Sequence, residues 1–247
     1  TDDFVSYAKE YLNKIKEYNT EDESYGYKSK LKIADAVWVD NNLTLQEEFK
    51  NSVTNGFGAE VENVDFSAAE KTCGIINSWC DKNTEGLIPK IITPDLINDT
   101  TGLCLTNSLY FESGWSGEPW NVSDTEEKFG NNEKTKYMTC AGDRYYENDK
   151  ATAFGREYAN GLSFVGILPV DEGDFTLEDL DIGGLLKSQP EYDEVQCKMP
   201  KLDFETTAIL NDILSSLGLD NIFSSNADFS GLSLIHISEP TRPLYIS

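Results

Sequence analysis

The chain is 247 residues long, with 39% hydrophobic and 11% aromatic residues, a globular composition with enough apolar content for a sizeable core. Lys+Arg 20 against Asp+Glu 44 gives a formal net charge of −24, whose field repels nucleic acid and anionic membrane and excludes both as expected partners. No stretch approaches the ~20 consecutive apolar residues of a membrane-spanning helix.

Residues 2–18 place Phe4, Val5, Ala8, Tyr11, Leu12, Ile15 and Tyr18 at helical spacing, an amphipathic surface helix followed by a polar loop from Asn19 to Tyr27. The first residue is not Met and the helix begins at once, so upstream elements are expected to be missing; Thr1-Asp2-Asp3 has neither the basic nor the apolar segment of a signal peptide. Lys30 to Val39 is rich in β-formers and reads as a strand. Thr44 with Glu47 forms a capping box before a helix that buries Leu45, Phe49 and Val53. Ala59 to Phe66 is the next strand. Ser67 with Glu70 forms a second capping box, and the helix after it carries Cys73, Ile76, Trp79 and Cys80 and ends with Gly86 as its C′ residue.

The chain is organised around Leu103 to Trp115. With side chains alternating, Leu103, Leu105, Asn107, Leu109 and Phe111 share one face, while Cys104, Thr106, Ser108 and Tyr110 share the other. Both faces are largely uncharged, which predicts a central strand covered on both sides. Asn107 stands in phase with three leucines and a phenylalanine. Burying its carboxamide without partners would cost on the order of a few kcal/mol, so it is expected to be the buried hub of a polar cluster.

Glu118 to Lys136 is polar and reads as a loop, Tyr137 to Tyr146 and Ala151 to Tyr158 as strands, and Leu162 to Val170 as a strong strand ended by Pro169. The acidic turn Asp171-Glu172-Gly173-Asp174 lacks the spaced ligands of a calcium loop and reads as solvated. Phe175 to Lys187 suggests short helices and Val195 to Glu205 a strand. Ala208 to Leu217 reads as a helix with Leu210, Ile213, Leu214 and Leu217 on one face, stopped by Gly218. With no repeat and no linker, one α+β domain is expected.

Nothing in the residues argues for an enzyme. The only histidine, His236, lies near the end, which leaves no Ser-His-Asp or Cys-His arrangement and no histidine-containing metal site; phosphate-binding glycine loops are also missing. Acidic pairs such as Glu47-Glu48 and Glu126-Glu127 read as solvated surface. Five cysteines, an odd and widely spaced set, do not resemble a disulfide framework, and Cys73 and Cys80 read as small apolar packing residues.

Asn107-Ser108-Leu109-Tyr110-Phe111 with Trp115 resembles the serpin signature that closes the third strand of that family's large sheet. Further blocks are similar to serpin blocks in serpin order: Ile33 to Val39, Ala59 to Phe66, Ile75 to Trp79, Ile167-Leu168-Pro169, Met199 to Leu202, Leu217 to Phe223 and Ala227 to Gly231. One departure is Ser113, where serpins usually carry glycine; here the glycine is Gly114. The resemblance implies an incomplete α+β serpin fold over residues 1–231, a large mixed or antiparallel sheet with surface helices and smaller sheets. It also implies a protease inhibitor rather than an enzyme, with no catalytic residues, metal or cofactor. A target serine or cysteine protease would cleave an exposed reactive-centre loop, which then inserts into the large sheet. By position Asn107 matches the shutter asparagine beneath the opening point of the sheet and Trp115 the breach tryptophan where the loop enters. The intact parent is expected to be monomeric and secreted, with its reactive-centre loop outside this chain. Leu232 to Arg242 resembles a translated sequencing adapter, so residues 232–247 are expected to be a non-native tail that does not pack. A non-inhibitory serpin acting as carrier or chaperone is the alternative within the family, and an acidic α+β binding module is the alternative from the residues alone.

Overall fold

The computed structural model describes residues 2–22, 27–129, 133–170, 180–188, 195–223, 230–233 and 245–246. In chain order the regular elements are α1 (Asp2–Ile15), β1 (Glu21–Asp22), β2 (Tyr27–Lys28), β3 (Lys30–Asp40), α2 (Glu47–Gly56), β4 (Glu60–Val64), α3 (Ala69–Asn83) and β5 (Leu103–Glu112). There follow β6 (Asn121–Phe129), β7 (Glu133–Ala141), β8 (Arg144–Glu147), β9 (Ala151–Glu157), β10 (Ser163–Pro169), α4 (Ile182–Leu185), β11 (Gln196–Pro200), β12 (Ala208–Ile209), α5 (Asn211–Leu214) and β13 (Tyr245–Ile246). They fall into two compact units, residues 1–17, 30–111 and 205–247 in the first and residues 18–29 and 112–204 in the second.

The first unit is built on the sheet β4-β3-β5. β3 and β4 are parallel, Ala36 opposite Glu60 through Asp40 opposite Val64, and a parallel pair needs a crossover, which α2 supplies. The Asp40 N–H donates to the Gly102 carbonyl while Asp35 meets Asn107 further along, so β5 runs against β3. Alternation on β3 sorts the core into two layers. Ala36 and Trp38 pack with Phe66 and with Cys73, Ile76, Trp79 and Cys80 of α3; Val37 and Val39 join Ala59 against Phe49 and Val53 of α2. Burial of side chains such as Trp38 and Ile76, 1% and 0% exposed, stabilises this unit by roughly 1.5–3 kcal/mol each. α1 packs on α2 so closely that a Cβ on Gly56 would overlap Val5.

Both predicted capping boxes are replaced by other arrangements. The N-cap of α2 is Gln46, two residues beyond Thr44, with no side-chain cap, because Leu45 is drawn into a β-bridge with Ser233. Before α3 the Asp65 carboxylate takes the local donors: the Ser67 N–H at 3.0 Å and the Ser67 hydroxyl at 2.5 Å both reach its Oδ1, so Ser67 is held in a turn and Ala68 is the N-cap. At the other end Thr84 is the C-cap, Glu85 at φ 52° takes the left-handed position predicted for Gly86, and Gly86 follows at φ 84° with its N–H on the Asp81 carbonyl.

The expected helix over 208–217 begins late, with β12 preceding α5, and Gly218 at φ 96° kinks the widened turn that follows rather than stopping it. Of the expected tail, the structure describes Leu232, Ser233 and Tyr245–Ile246. Ser233 is 2% exposed with its hydroxyl donating to the Thr44 carbonyl, the Gln46 N–H donates to the Leu232 carbonyl, and Tyr245–Ile246 pairs with Ala208–Ile209. The remainder of 232–247, with His236, lies outside the described residues, as do the acidic turn at 171–174 and residues 175–179 of the predicted short helices.

The second unit contains the sheets β10-β9-β8 and β11-β7-β6 and the hairpin β1-β2. β10 and β9 pair along their full lengths, Ser163 opposite Glu157 to Pro169 opposite Ala151. Ala151, Ala153, Tyr146, Leu180 and Leu185 form the core beneath them. The segment read as a loop before Lys136 is instead β6 and the start of β7, with Glu126 opposite Lys136 across the ladder. The strand expected over 137–146 breaks at Gly142 into β7 and β8, and the one expected over 195–205 stops at Pro200.

Candidate functional site

Two places carry the residues singled out above, one in each unit. In the first, β5 presents two unlike faces. Ser108 and Tyr110 are 6% and 8% exposed, Cys104 packs against the α3 cluster, and the Trp38 indole N–H donates to the Thr106 hydroxyl at 3.0 Å. The opposite face, which carries Asn107, is the open one: Leu105 and Leu109 are 61% and 59% exposed and Asn107 is exposed between them. The expected burial of Asn107 is therefore corrected. Phe49 and Val53 of α2 pack, like Leu103, on the Val37, Val39 and Ala59 layer, and beyond Val53 and Phe57 that layer opens beside Leu105 and Asn107.

Where the cover ends, an open groove of about 320 Å³ is lined by Asp35, Val53, Phe57, Leu105 and Asn107 among others. Its polar feature is a single cross-strand bond, the Asn107 carboxamide nitrogen donating to Asp35 Oδ1 at 2.8 Å. This is a pair rather than the expected multi-residue cluster. On the covered face, burial pushes the Cys104 thiol up to about 11, so it serves as a small packing group. Among the described residues no group of three His, Cys, Asp or Glu side chains is placed to hold a metal ion, and no helix is long and apolar enough to cross a membrane.

The second place is the segment after β5. Trp115 lies half-buried at an isolated bridge with Tyr158, fixed by the Ser116 N–H on the Glu157 carbonyl and the Ala159 N–H on the Gly114 carbonyl. Its ring stacks on Tyr158 with centroids 4.3 Å apart, and meets Trp120 and Phe164 edge-on at 5.6 and 6.1 Å. Burial raises the Tyr158 phenol. The left-handed turn residue of this segment is Gly117, at φ 72°, and Ser113 in the usual glycine position bonds the Ser29 hydroxyl at 2.8 Å.

Sequence reasoning missed Arg156. It is 2% exposed on β9, and its guanidinium donates to the carbonyls of Ala141, Ser116 and Glu118 while lying 5.8 Å over the Trp120 ring. It thereby ties the backbone just beyond Trp115 to the end of β7. The signal was present: an arginine after the uncharged run Ala151-Thr152-Ala153-Phe154-Gly155 is a charge at a position that reads as buried and must find fixed partners.

A protein-family model described as "Serpin (serine protease inhibitor)" matches residues 3–247. The chain belongs to the serpin family. Among curated relatives of this serpin, it is 31% identical to "Serpin-ZX" of Hordeum vulgare over 85% of this chain and 56% of that protein. It is 30% identical to "Leukocyte elastase inhibitor A" of Rattus norvegicus over 95% of this chain and 66% of that one. The chain thus spans between about half and two thirds of the length of these relatives. Among solved structures, "Cleaved Serpin 42Da" superposes with a TM-score of 0.79 at 20% identity over 94% of this serpin and 63% of that chain. Ovalbumin from emu (Dromaius novaehollandiae) superposes with a TM-score of 0.77 at 21% identity, over 93% and 61%. The fold is that of an incomplete serpin, with mixed helices and sheets.

Proposed function

We propose that this chain supplies the sheet-forming part of an inhibitor of serine or cysteine proteases. The reading is carried by the family match along residues 3–247. In the intact parent a protease cleaves an exposed loop to an acyl-enzyme, and the loop adds to the large sheet as a new strand before the ester is hydrolysed. β5 suits the receiving side of that step, being the terminal strand of β4-β3-β5. Asn107, bonded to Asp35 across β3 and β5, takes the shutter role: a polar pair breaks and re-forms at a defined place, whereas packed aliphatic side chains resist parting. Trp115, stacked on Tyr158, takes the breach role as a rigid aromatic stop beyond the strand.

The test is to incubate the full-length parent with trypsin-, chymotrypsin-, elastase-, subtilisin- and papain-like proteases and to resolve the products by denaturing electrophoresis. The expected result is a band of higher mass than either partner, with lost protease activity and a rise in heat stability of the cleaved inhibitor. Plain cleavage by every protease, with no such band and no gain in heat stability, would establish the carrier or chaperone reading instead.

A further inference from the structure

The five cysteines are all free in this structure, and two of them face each other. β7 and β11 run antiparallel with Cys140 directly opposite Cys197. The Gly142 N–H reaches the Val195 carbonyl, and the Lys201 N–H reaches the Lys136 carbonyl, each at 2.8 Å. Both bonds lie an even number of residues from the cysteines, so the pair occupies a hydrogen-bonded position of the ladder, where Cα atoms stand ~5.5 Å apart. That Cα separation is one a disulfide spans, while the Cβ atoms of a hydrogen-bonded pair stand wider than in a relaxed bridge, so the bond formed is strained and readily reduced. The two thiols are near enough for each to perturb the acidity of the other. Gly142 makes the room: a Cβ there would stand 2.5 Å from Cys197 Sγ. Cys73, Cys80 and Cys104 belong to the first unit, so each member of the pair has one thiol neighbour in its own unit.

Access differs between the two. Cys140 is half-buried and Cys197 is 3% exposed, so a reagent from solution meets Cys140 first. Burial raises the Cys140 thiol, with the neighbouring Arg156 guanidinium opposing that rise, while burial pushes Cys197 up to about 12. Both are protonated at neutral pH, so exchange runs through the small thiolate fraction of each and quickens as pH rises.

We propose that Cys140 and Cys197 form a reversible cross-strand disulfide that ties β11 to β7, installed by a low-molecular-weight disulfide of the glutathione class. The Cys140 thiolate attacks one sulfur of the reagent, forming a mixed disulfide and releasing one thiolate; the Cys197 thiolate then attacks the Cys140 sulfur and expels the other. Two protein thiols lose two hydrogens and the reagent leaves as two thiols, so atoms and electrons balance.

The experiment treats the folded 247-residue chain with oxidised glutathione, blocks remaining thiols with N-ethylmaleimide and digests with trypsin. The expected product joins the peptides 137–144 and 188–198 at a mass about 2 Da below their sum, and excess dithiothreitol separates them. Cys73, Cys80 and Cys104 should carry the blocking group. Finding Cys140 and Cys197 both blocked, Cys140 held only as the glutathione adduct, or either residue linked elsewhere would overturn the proposal. A parallel reaction in guanidinium, where the strand register is lost, should give a mixture of links. The same exclusive link there would show that register does not choose the pair, and would equally overturn it.

Discussion

Asn107 shows how far one residue's role depends on what covers it. Its phase with Leu105 and Leu109 was legible in the sequence, but the cover over that face was not, because it depends on where α2 ends rather than on β5 itself. What the structure gives Asn107 is one bond to Asp35 at 2.8 Å. Asn107→Asp should therefore set two carboxyls side by side, raising the folded-state pKa of the introduced group. A carboxyl raised in the folded state costs stability above its unfolded pKa and regains it as pH falls. The unfolding free energy of the variant in urea should drop by about 0.2–1 kcal/mol near neutral pH, the loss being limited by exposure, and should match that of the parent sequence near pH 3. An equal deficit at both pH values would argue against the contact. Arg156 behaves oppositely, since it is buried and its partners are carbonyls. Arg156→Met keeps much of the stem but strands those acceptors, and should cost about 2 kcal/mol or more in chemical unfolding; a neutral variant would remove the clamp from the account.

At the level of elements, the strands that alternate apolar and polar residues or pack on both faces were readable: β3, β5, β9 and β10 fall within a few residues of their predicted spans. β6 was not, because Val122 and Phe129 are 42% and 48% exposed and its other described side chains are largely solvated, leaving no periodic apolar signal. Its evidence is in the partner strand, in pairs such as Glu126 with Lys136, which a single segment does not display. The capping boxes failed for a related reason. Thr44 and Ser67 had the right spacing, but Leu45 is bridged to Ser233 far along the chain, and Asp65 offers a stronger acceptor to Ser67. The break between β7 and β8 at Gly142 leads to a direct test. Gly142→Ala would put a methyl 2.5 Å from Cys197 Sγ and 3.0 Å from Val195 Cγ1, so it should push β11 outward and destabilise the fold by about 1–3 kcal/mol. Hydrogen exchange of the β11 amides would register the loosening; unchanged protection with unchanged stability would show that the strand yields without cost.

For the molecule as a whole, the ordered serpin blocks gave the family, while the division into two units and the docking of Leu232 and Ser233 onto the start of α2 required coordinates. The chain leaves Leu105, Leu109, Phe204 and Leu217 between 59% and 76% exposed, along with the edge of β5, and exposed apolar surface beside an uncapped strand promotes association. The purified chain should elute above its 27.6 kDa mass and bind an apolar dye, and should inhibit none of the proteases named above. Stoichiometric inhibition by the chain alone would refute this. The placing of its four tryptophans has an optical consequence. Trp38 and Trp79 meet edge-on at 6.1 Å in the first unit, and Trp115 and Trp120 at 5.6 Å in the second. Each pair is close enough for its indole transitions to couple, and neither draws a member from the other unit. Circular dichroism in the strong far-ultraviolet indole band of Trp79→Phe and Trp120→Phe should therefore silence one exciton signal at a time, giving each unit its own chromophore for following melting without any added label.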